Sequence, residues 1–237
     1  YLPFLEFNDV LKMMTLAPEL PGAPGLVRSL REKGIVAAAG HTDGVHSEMA
    51  EAIEQGISHA THFFCNMSNF RRHNLKRVAG AAETLLYDDR ISGELIADGW
   101  HLGPLLMQLL VKVKGPDRVC FVSDAMPAAG LPDGRYFLGT VEAVIEGGAA
   151  RLPDKSAYAG SVASLDICVR NGITQIGLEL KDALRMATLT PAGIIGEDSR
   201  KGCLAVNKDA DILIIDREAN VLTTIARGKI VYQAHKD

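Results

Sequence analysis

The chain has no long apolar run, no surplus of basic charge and no closely spaced cysteine pair. Its apolar stretches fall short of the ~20 residues a membrane-spanning helix needs, which argues against a membrane partner. Lysine and arginine number 25 against 29 aspartates and glutamates, a net charge of −4. Phosphate-backbone binding wants a basic excess, so nucleic acid is set aside as a partner. The four cysteines, Cys65, Cys120, Cys168 and Cys203, lie far apart and form no C-x-x-C motif. That pattern suits a reducing compartment with thiols buried as small hydrophobes. The opening residues, Tyr1-Leu2-Pro3-Phe4-Leu5-Glu6, lack the charged start of a secretory signal, and a cytoplasmic setting is expected. The chain begins on Tyr1 rather than Met, which leaves room for residues upstream. What is present is ordinary globular material: 237 residues, 47% hydrophobic and 23% charged. That composition excludes disorder, collagen and coiled coil, and the length allows one large domain or two small ones.

Five short apolar runs each end in polar residues at about positions 18, 41, 62, 98 and 124. Examples are Gly34-Ile35-Val36-Ala37-Ala38-Ala39-Gly40 before His41, and Arg118-Val119-Cys120-Phe121-Val122-Ser123 before Asp124. Between them, 26–33, 47–55 and 104–113 carry apolar residues at helical spacing, with Pro104 placed for a first turn. Strand alternating with helix predicts parallel βα units, five of them. After residue 130 the character changes. Residues 139–150 read as strands and a hairpin, 164–171 and 181–189 as helices, and 211–232 as strands around a turn at Arg227-Gly228-Lys229. The expected division is a βα body over 1–135, joined by the helices of about 160–200, and a small β domain from 136–158 and 201–237.

Ligands of parallel α/β folds bind at the carboxyl ends of the strands, and His41, His62, His101 and Asp124 all fall there. His41 and His62 end successive runs, so their strands should be neighbours. Two imidazoles so placed can share one divalent cation; alternatively, each is a hydrogen-bonded loop residue. Asp124 closes a nearly apolar run, where a carboxylate is costly unless paired. It reads either as a general base beside an activated water or as a cap. Asp98-Gly99-Trp100-His101 is either a substrate-binding turn or a turn with a packed Trp. The dense basic loop at 71–77 (Arg71-Arg72-His73-Asn74-Leu75-Lys76-Arg77) suits an anionic substrate group, or is a solvated or subunit-contact loop. Gly160-Ser161 can offer backbone N–H groups to a ligand. His46 and His59 read as structural or solvent-facing, and His73 and His235 carry little signal.

Taken in order, the short motifs resemble a known family. They are Thr15-Leu16-Ala17-Pro18-Glu19, Ala39-Gly40-His41-Thr42, Ala60-Thr61-His62-Phe63-Phe64, Ala79-Gly80-Ala81, Ile96-Ala97-Asp98-Gly99-Trp100-His101 and Val122-Ser123-Asp124-Ala125. They continue with Ala159-Gly160-Ser161, Arg185-Met186-Ala187-Thr188-Leu189-Thr190-Pro191-Ala192 and Lys208-Asp209-Ala210-Asp211-Ile212. The pattern resembles the N-acetylglucosamine-6-phosphate deacetylases of the amidohydrolase superfamily. The resemblance implies an α/β fold, the C-terminal part of a (β/α)8 TIM-like metal-dependent hydrolase barrel with a small β-sandwich domain. It implies hydrolysis of the acetamide of N-acetylglucosamine 6-phosphate to glucosamine 6-phosphate and acetate. His41 and His62 are then metal ligands and Asp124 the catalytic acid–base. His101, Cys65, Asn66, Arg71, Arg72 and Ser161 are then substrate-binding. The implied cofactor is a divalent metal, with Zn first and Fe, Mn or Co suiting the same donors. The implied partner is an amino-sugar phosphate, and the implied assembly a homodimer.

Two departures from the family pattern stand out. Thr61-His62-Phe63-Phe64-Cys65-Asn66-Met67 places Cys65 where the family has Asn and Asn66 where it has a small residue. The His-x-Glu-Gly-Pro segment that carries the family's carboxylate ligand has no counterpart, nor do the first three barrel strands. These departures point to a truncated sequence, a C-terminal fragment or an assembly that covers the open edges. They also keep two other readings in play: a relative acting on a different amide, and a catalytically incomplete module.

Overall fold

The computed structural model describes residues 1–234, except for the side chain of His73. His235 lies outside the described residues. A short 3-10 helix (Leu2–Phe7) leads to β1 (Met13–Leu16), α1 (Ala23–Glu32), β2 (Val36–Ala39), α2 (His46–Gln55) and β3 (Ile57–Ala60). A hairpin of β4 (Arg71–His73) and β5 (Lys76–Val78) precedes α3 (Ala81–Tyr87), β6 (Ser92–Ile96), α4 (Pro104–Lys114) and β7 (Val119–Val122). Then come β8 (Gly134–Leu138), β9 (Val141–Glu146) and β10 (Ala149–Arg151). A helical stretch follows: α5 (Leu165–Asn171), a π-helical turn (Gly172–Ile176), α6 (Leu180–Ala187) and α7 (Leu189–Ile194). The described chain closes with β11 (Ile212–Ile215), β12 (Val221–Ala226) and β13 (Lys229–Gln233).

The five apolar runs form one parallel sheet in the order β1-β2-β3-β6-β7. Spatial order follows chain order without reversal. A doubly wound sheet reverses at its ligand crevice; the wall of a βα barrel does not. The ladder continues past β7, where Ala125 bridges Ser161 in parallel.

Side-chain alternation divides the sheet into two faces. Ala37, Ala39, Ile57, Ala60, Leu95, Ala97, Val119 and Phe121 face the helices and enter the main core. Helix α1 meets that face with Ala23, Leu26, Val27 and Leu30, the 0-3-4-7 spacing of one helical stripe. Leu30, Met49, Leu85, Leu95, Met107 and Leu110 are fully buried, each contributing about 1.5–3 kcal/mol of transfer free energy. The opposite face mixes small and apolar residues, Ala38, Ile96 and Cys120, with polar ones. Thr15 and Thr61 hydrogen-bond across it at 2.8 Å, and His59 Nδ1 meets Ser92 Oγ at 2.7 Å.

Residues 134–151 and 212–233 carry two separate three-stranded antiparallel sheets, β8–β10 and β11–β13. The first has its own small core of Met126, Ala128, Ala143, Ile145, Ala150 and Ala159. One expectation is corrected: residues 71–77 are a β-hairpin, not a loop. Asn74 and Leu75 both have positive φ, 46° and 65°, the requirement of the tight two-residue turn that joins antiparallel strands. Helices α3 (seven residues) and α7 (six residues) were not among the helices expected from sequence.

Candidate active site

The parallel register brings the carboxyl ends of β2, β3, β6 and β7 to one edge of the sheet, and His41, His62, Asp98 and Asp124 follow them. Three of the four leave their strands in a conformation L-residues rarely adopt: φ is 50° at His41, 31° at His62 and 48° at Asp124. Backbone in such regions costs on the order of 1–3 kcal/mol per residue and clusters at functional sites. The sequence makes room for it. A Cβ on Gly40 would sit 2.9 Å from both Thr15 and Thr61, so only glycine lets His41 leave between them. A Cβ on Gly93 would lie 2.4 Å from the ring of Phe63, the fully buried residue after His62.

The two imidazoles meet edge to face, with ring centroids 4.6 Å apart. Their Nε2 atoms are 2.8 Å apart, so both rings aim the same nitrogen at one point. Burial, and then the His62 ring, lower the pKa of His41; the nearby Asp124 charge works against both. A neutral imidazole presents the lone pair that a metal requires. Cys65 sits in the same neighbourhood. Burial, then Asp124 and Asp98, push its thiol up to about 11, so it stays protonated at neutral pH.

Two carboxylates brace the histidines. Glu19 accepts the Thr42 hydroxyl at 2.5 Å and the Asp43 N–H at 2.9 Å, which holds the turn after His41. Glu94 accepts the His62 N–H at 3.0 Å through one oxygen, and its other oxygen lies 3.5 Å from Nε2 of buried His59. Burial pushes the Glu94 carboxyl up, but His59 and the His62 N–H outweigh it, and the net is below the ordinary value. Asp98 is a second such case. Burial raises it, and the His101 ring at 2.7 Å with the N–H groups of His101 and Trp100 bring it below normal.

The other expected site residues fall as follows. The Asn66 carbonyl accepts the Thr42 N–H, and Asn66 lines an open cavity with His41, Thr42, Asp43, Met67 and Ser68. Ser161 is buried; its N–H donates to the Asp124 carbonyl at 3.0 Å and its Oγ accepts the Ala163 N–H. Arg71 is ion-paired with Asp43 at 3.1 Å. Arg72 is exposed on β4, directly opposite Arg77. Glu19 and Glu94 were not singled out from sequence. Glu94 did leave a signal, a carboxylate inside the run Ile91-Ser92-Gly93-Glu94-Leu95-Ile96-Ala97.

The converging Nε2 pair fits two positions of a metal shell. A catalytic zinc takes three protein ligands, and among the described residues no group of three His, Cys, Asp or Glu is placed to hold an ion. A metal-bound imidazole also usually donates its second nitrogen to an acceptor; His62 Nδ1 is buried with no partner among the described residues. The two imidazoles thus fit part of a metal shell, with no third donor grouped beside them among the described residues.

A strand-end histidine pair and an aspartate thus gather at one edge of a sequentially ordered βα sheet. The family model for the amidohydrolase family matches residues 9–231, and the chain belongs to that family. Among its relatives, the N-acetylglucosamine-6-phosphate deacetylase of Bacillus subtilis (strain 168) is 34% identical over 227 residues, covering 96% of this chain and 56% of that protein. The N-acetylgalactosamine-6-phosphate deacetylase of Escherichia coli O157:H7 is 33% identical, covering 94% and 58%. The crystal structure of the N-acetylglucosamine-6-phosphate deacetylase from Pasteurella multocida superposes with a TM-score of 0.89 at 29% identity, covering 97% of this chain and 59% of that one. The chain thus spans a little over half the length of the relatives it matches. Among the described residues no helix is long and apolar enough to cross a membrane.

Proposed function

We propose that this chain carries the histidine pair and the catalytic aspartate of a metal-dependent deacetylase acting on an N-acetylamino-sugar 6-phosphate. The observation that supports it best is the 2.8 Å convergence of His41 and His62 Nε2 at neighbouring strand ends. In this reading His41 and His62 hold a divalent metal, zinc first, with Fe, Mn or Co suited to the same donors. When bound, the metal polarises the amide carbonyl and lowers the pKa of water. Asp124, exposed at the end of β7, takes a proton from the attacking water and returns it to the leaving amine. Glu19 and Glu94 keep the two ring-bearing turns in place. His101, oriented by Asp98, Ser161 and the 65–72 segment with Cys65, Asn66, Arg71 and Arg72 make the substrate surface. The names of relatives support an amino-sugar phosphate and leave two epimers, gluco and galacto, as substrates to compare. The reading takes in a homodimer and a cytoplasmic setting.

The test pairs metal content with turnover. Zinc is titrated into wild type, His41→Ala, His62→Ala and Asp124→Asn, and retained metal is counted after desalting. Acetate release from N-acetylglucosamine 6-phosphate is then measured. Both histidine variants should lose metal first, while Asp124→Asn keeps metal and loses turnover. Metal binding that survives both histidine changes overturns the ligand assignment.

A further inference from the structure

Seven of the fourteen arginines, Arg71, Arg90, Arg118, Arg135, Arg170, Arg185 and Arg200, are ion-paired with carboxylates. Arg151, at the end of β10, is instead held against two aromatic rings. Its guanidinium lies 5.1 Å over the Trp100 ring and 5.8 Å from the Tyr158 ring. Its one hydrogen bond is a long one, 3.4 Å, to the Glu146 carbonyl. Among the described residues no carboxylate comes within ion-pair distance of it. Stacking uses the faces of the guanidinium and leaves its in-plane N–H fork for an acceptor.

The two flanking rings carry polar tips that can donate. Trp100 and Tyr158 are 41% and 38% exposed, and indole offers only an N–H. The Tyr158 ring packs on His101 at a centroid distance of 5.0 Å, and His101 Nδ1 is tied to Asp98. The cluster is also wired to the catalytic end. Arg151 bridges Tyr158, and three residues further along that segment Ser161 binds the Asp124 main chain. At about 3.3 Å per residue, that spacing is at most roughly 10 Å, the scale of a sugar phosphate.

We propose that Arg151 is a specificity-determining residue, receiving the phosphate dianion of the substrate on a donor surface shared with Trp100 and Tyr158. This rests on the amino-sugar phosphate reading above and adds to it a residue that neither the motifs nor the basic hairpin indicated. An Arg fork matches two phosphate oxygens, which a point-charge Lys cannot do.

The chain carries its own reporter, since Trp100 is its single Trp. Inorganic phosphate and glucosamine 6-phosphate are titrated into the 237-residue chain at constant ionic strength, and Trp fluorescence is followed. Broadening of the ligand's 31P signal gives a second readout that does not depend on Trp100. Both should saturate in wild type. Arg151→Gln should weaken apparent affinity by tenfold or more, Arg151→Lys by less, and Arg90→Gln, at the amino end of the sheet, should leave it unchanged, with circular dichroism unaltered in all three. No saturable response in wild type, or the same 31P midpoint in Arg151→Gln, overturns the inference. Deacetylation is assayed separately. Turnover without an Arg151-dependent phosphate response would reject this inference and leave the proposed function standing. An Arg151-dependent response without turnover would do the reverse.

Discussion

The two ends of the parallel sheet are built on opposite principles. At the amino ends, charges are paired off. Arg90 binds Asp88 and Glu54, Arg118 binds Asp89, and buried Lys114 donates to the Asp88 carbonyl. At the carboxyl ends, polar groups are gathered, and some of them are left without a partner among the described residues. Two imidazoles face each other, His62 Nδ1 is buried alone among the described residues, and three residues sit at positive φ. One end relieves electrostatic cost and the other stores it. In βα folds, chemistry concentrates at the carboxyl ends and stability at the amino ends. The difference can be seen here in individual hydrogen bonds.

That contrast can be broken by experiment. The largest expected effect is at the carboxyl end. Asp124→Asn should cut turnover by about 10²–10⁴-fold, the usual worth of a positioned acid–base, while the melting temperature stays put. A comparable loss of turnover from an amino-end variant would collapse the distinction. Next comes Glu94→Gln, which keeps an acceptor for the His62 N–H but removes the charge facing His59. Zinc affinity, measured by chelator competition, should fall about 10–100-fold, the range for partners that orient a ligand. Unchanged affinity would show that the His62 turn holds itself.

Lys114 sharpens the comparison from the stability side. It is 3% exposed, and burial, then Arg118, lower its pKa to about 8 from the usual 10.5. Between those values the unfolded chain binds more protons than the folded one, so stability should rise as pH goes from 8 to 10.5. The size is on the order of 3 kcal/mol. Lys114→Met should flatten that segment of the stability curve, read by urea unfolding at several pH values. An identical slope in wild type and variant would remove Lys114 as its cause. The smallest effect is expected from Arg90→Ala. Arg90 is more than half exposed, and surface pairs of this kind contribute little. Its melting temperature should stay within experimental error of wild type, and turnover should be unchanged.

Much of this architecture was legible in the chain. The five apolar runs became the five parallel strands, because a strand buried against helices must be nearly continuous in small apolar residues. Their polar ends marked the sheet edge where the candidate site lies, because a charged or ring-bearing side chain directly after such a run has only that edge to occupy. The hairpin at 71–77 was not legible. Its strands are exposed and basic, so no alternation of apolar and polar residues announces them. The two bracing carboxylates were hidden for another reason. Glu19 acts on residues 23 and 24 positions away, and Glu94 on one 32 positions away. Nothing local distinguishes them from solvated acids, apart from the apolar company that Glu94 keeps.

By itself the sequence determined the five parallel strands, the helices α1, α2 and α4 between them, and that His41, His62 and Asp124 would stand at strand ends. Periodicity and burial are local properties of the chain, and they carry that much. Only the tertiary structure decided what those residues meet. It set the two Nε2 atoms 2.8 Å apart, placed Glu94 behind His62, tied Arg71 to Asp43 and laid Arg151 on Trp100. Each of these contacts joins separate elements, and its distance depends on strand register and packing, which no single segment encodes.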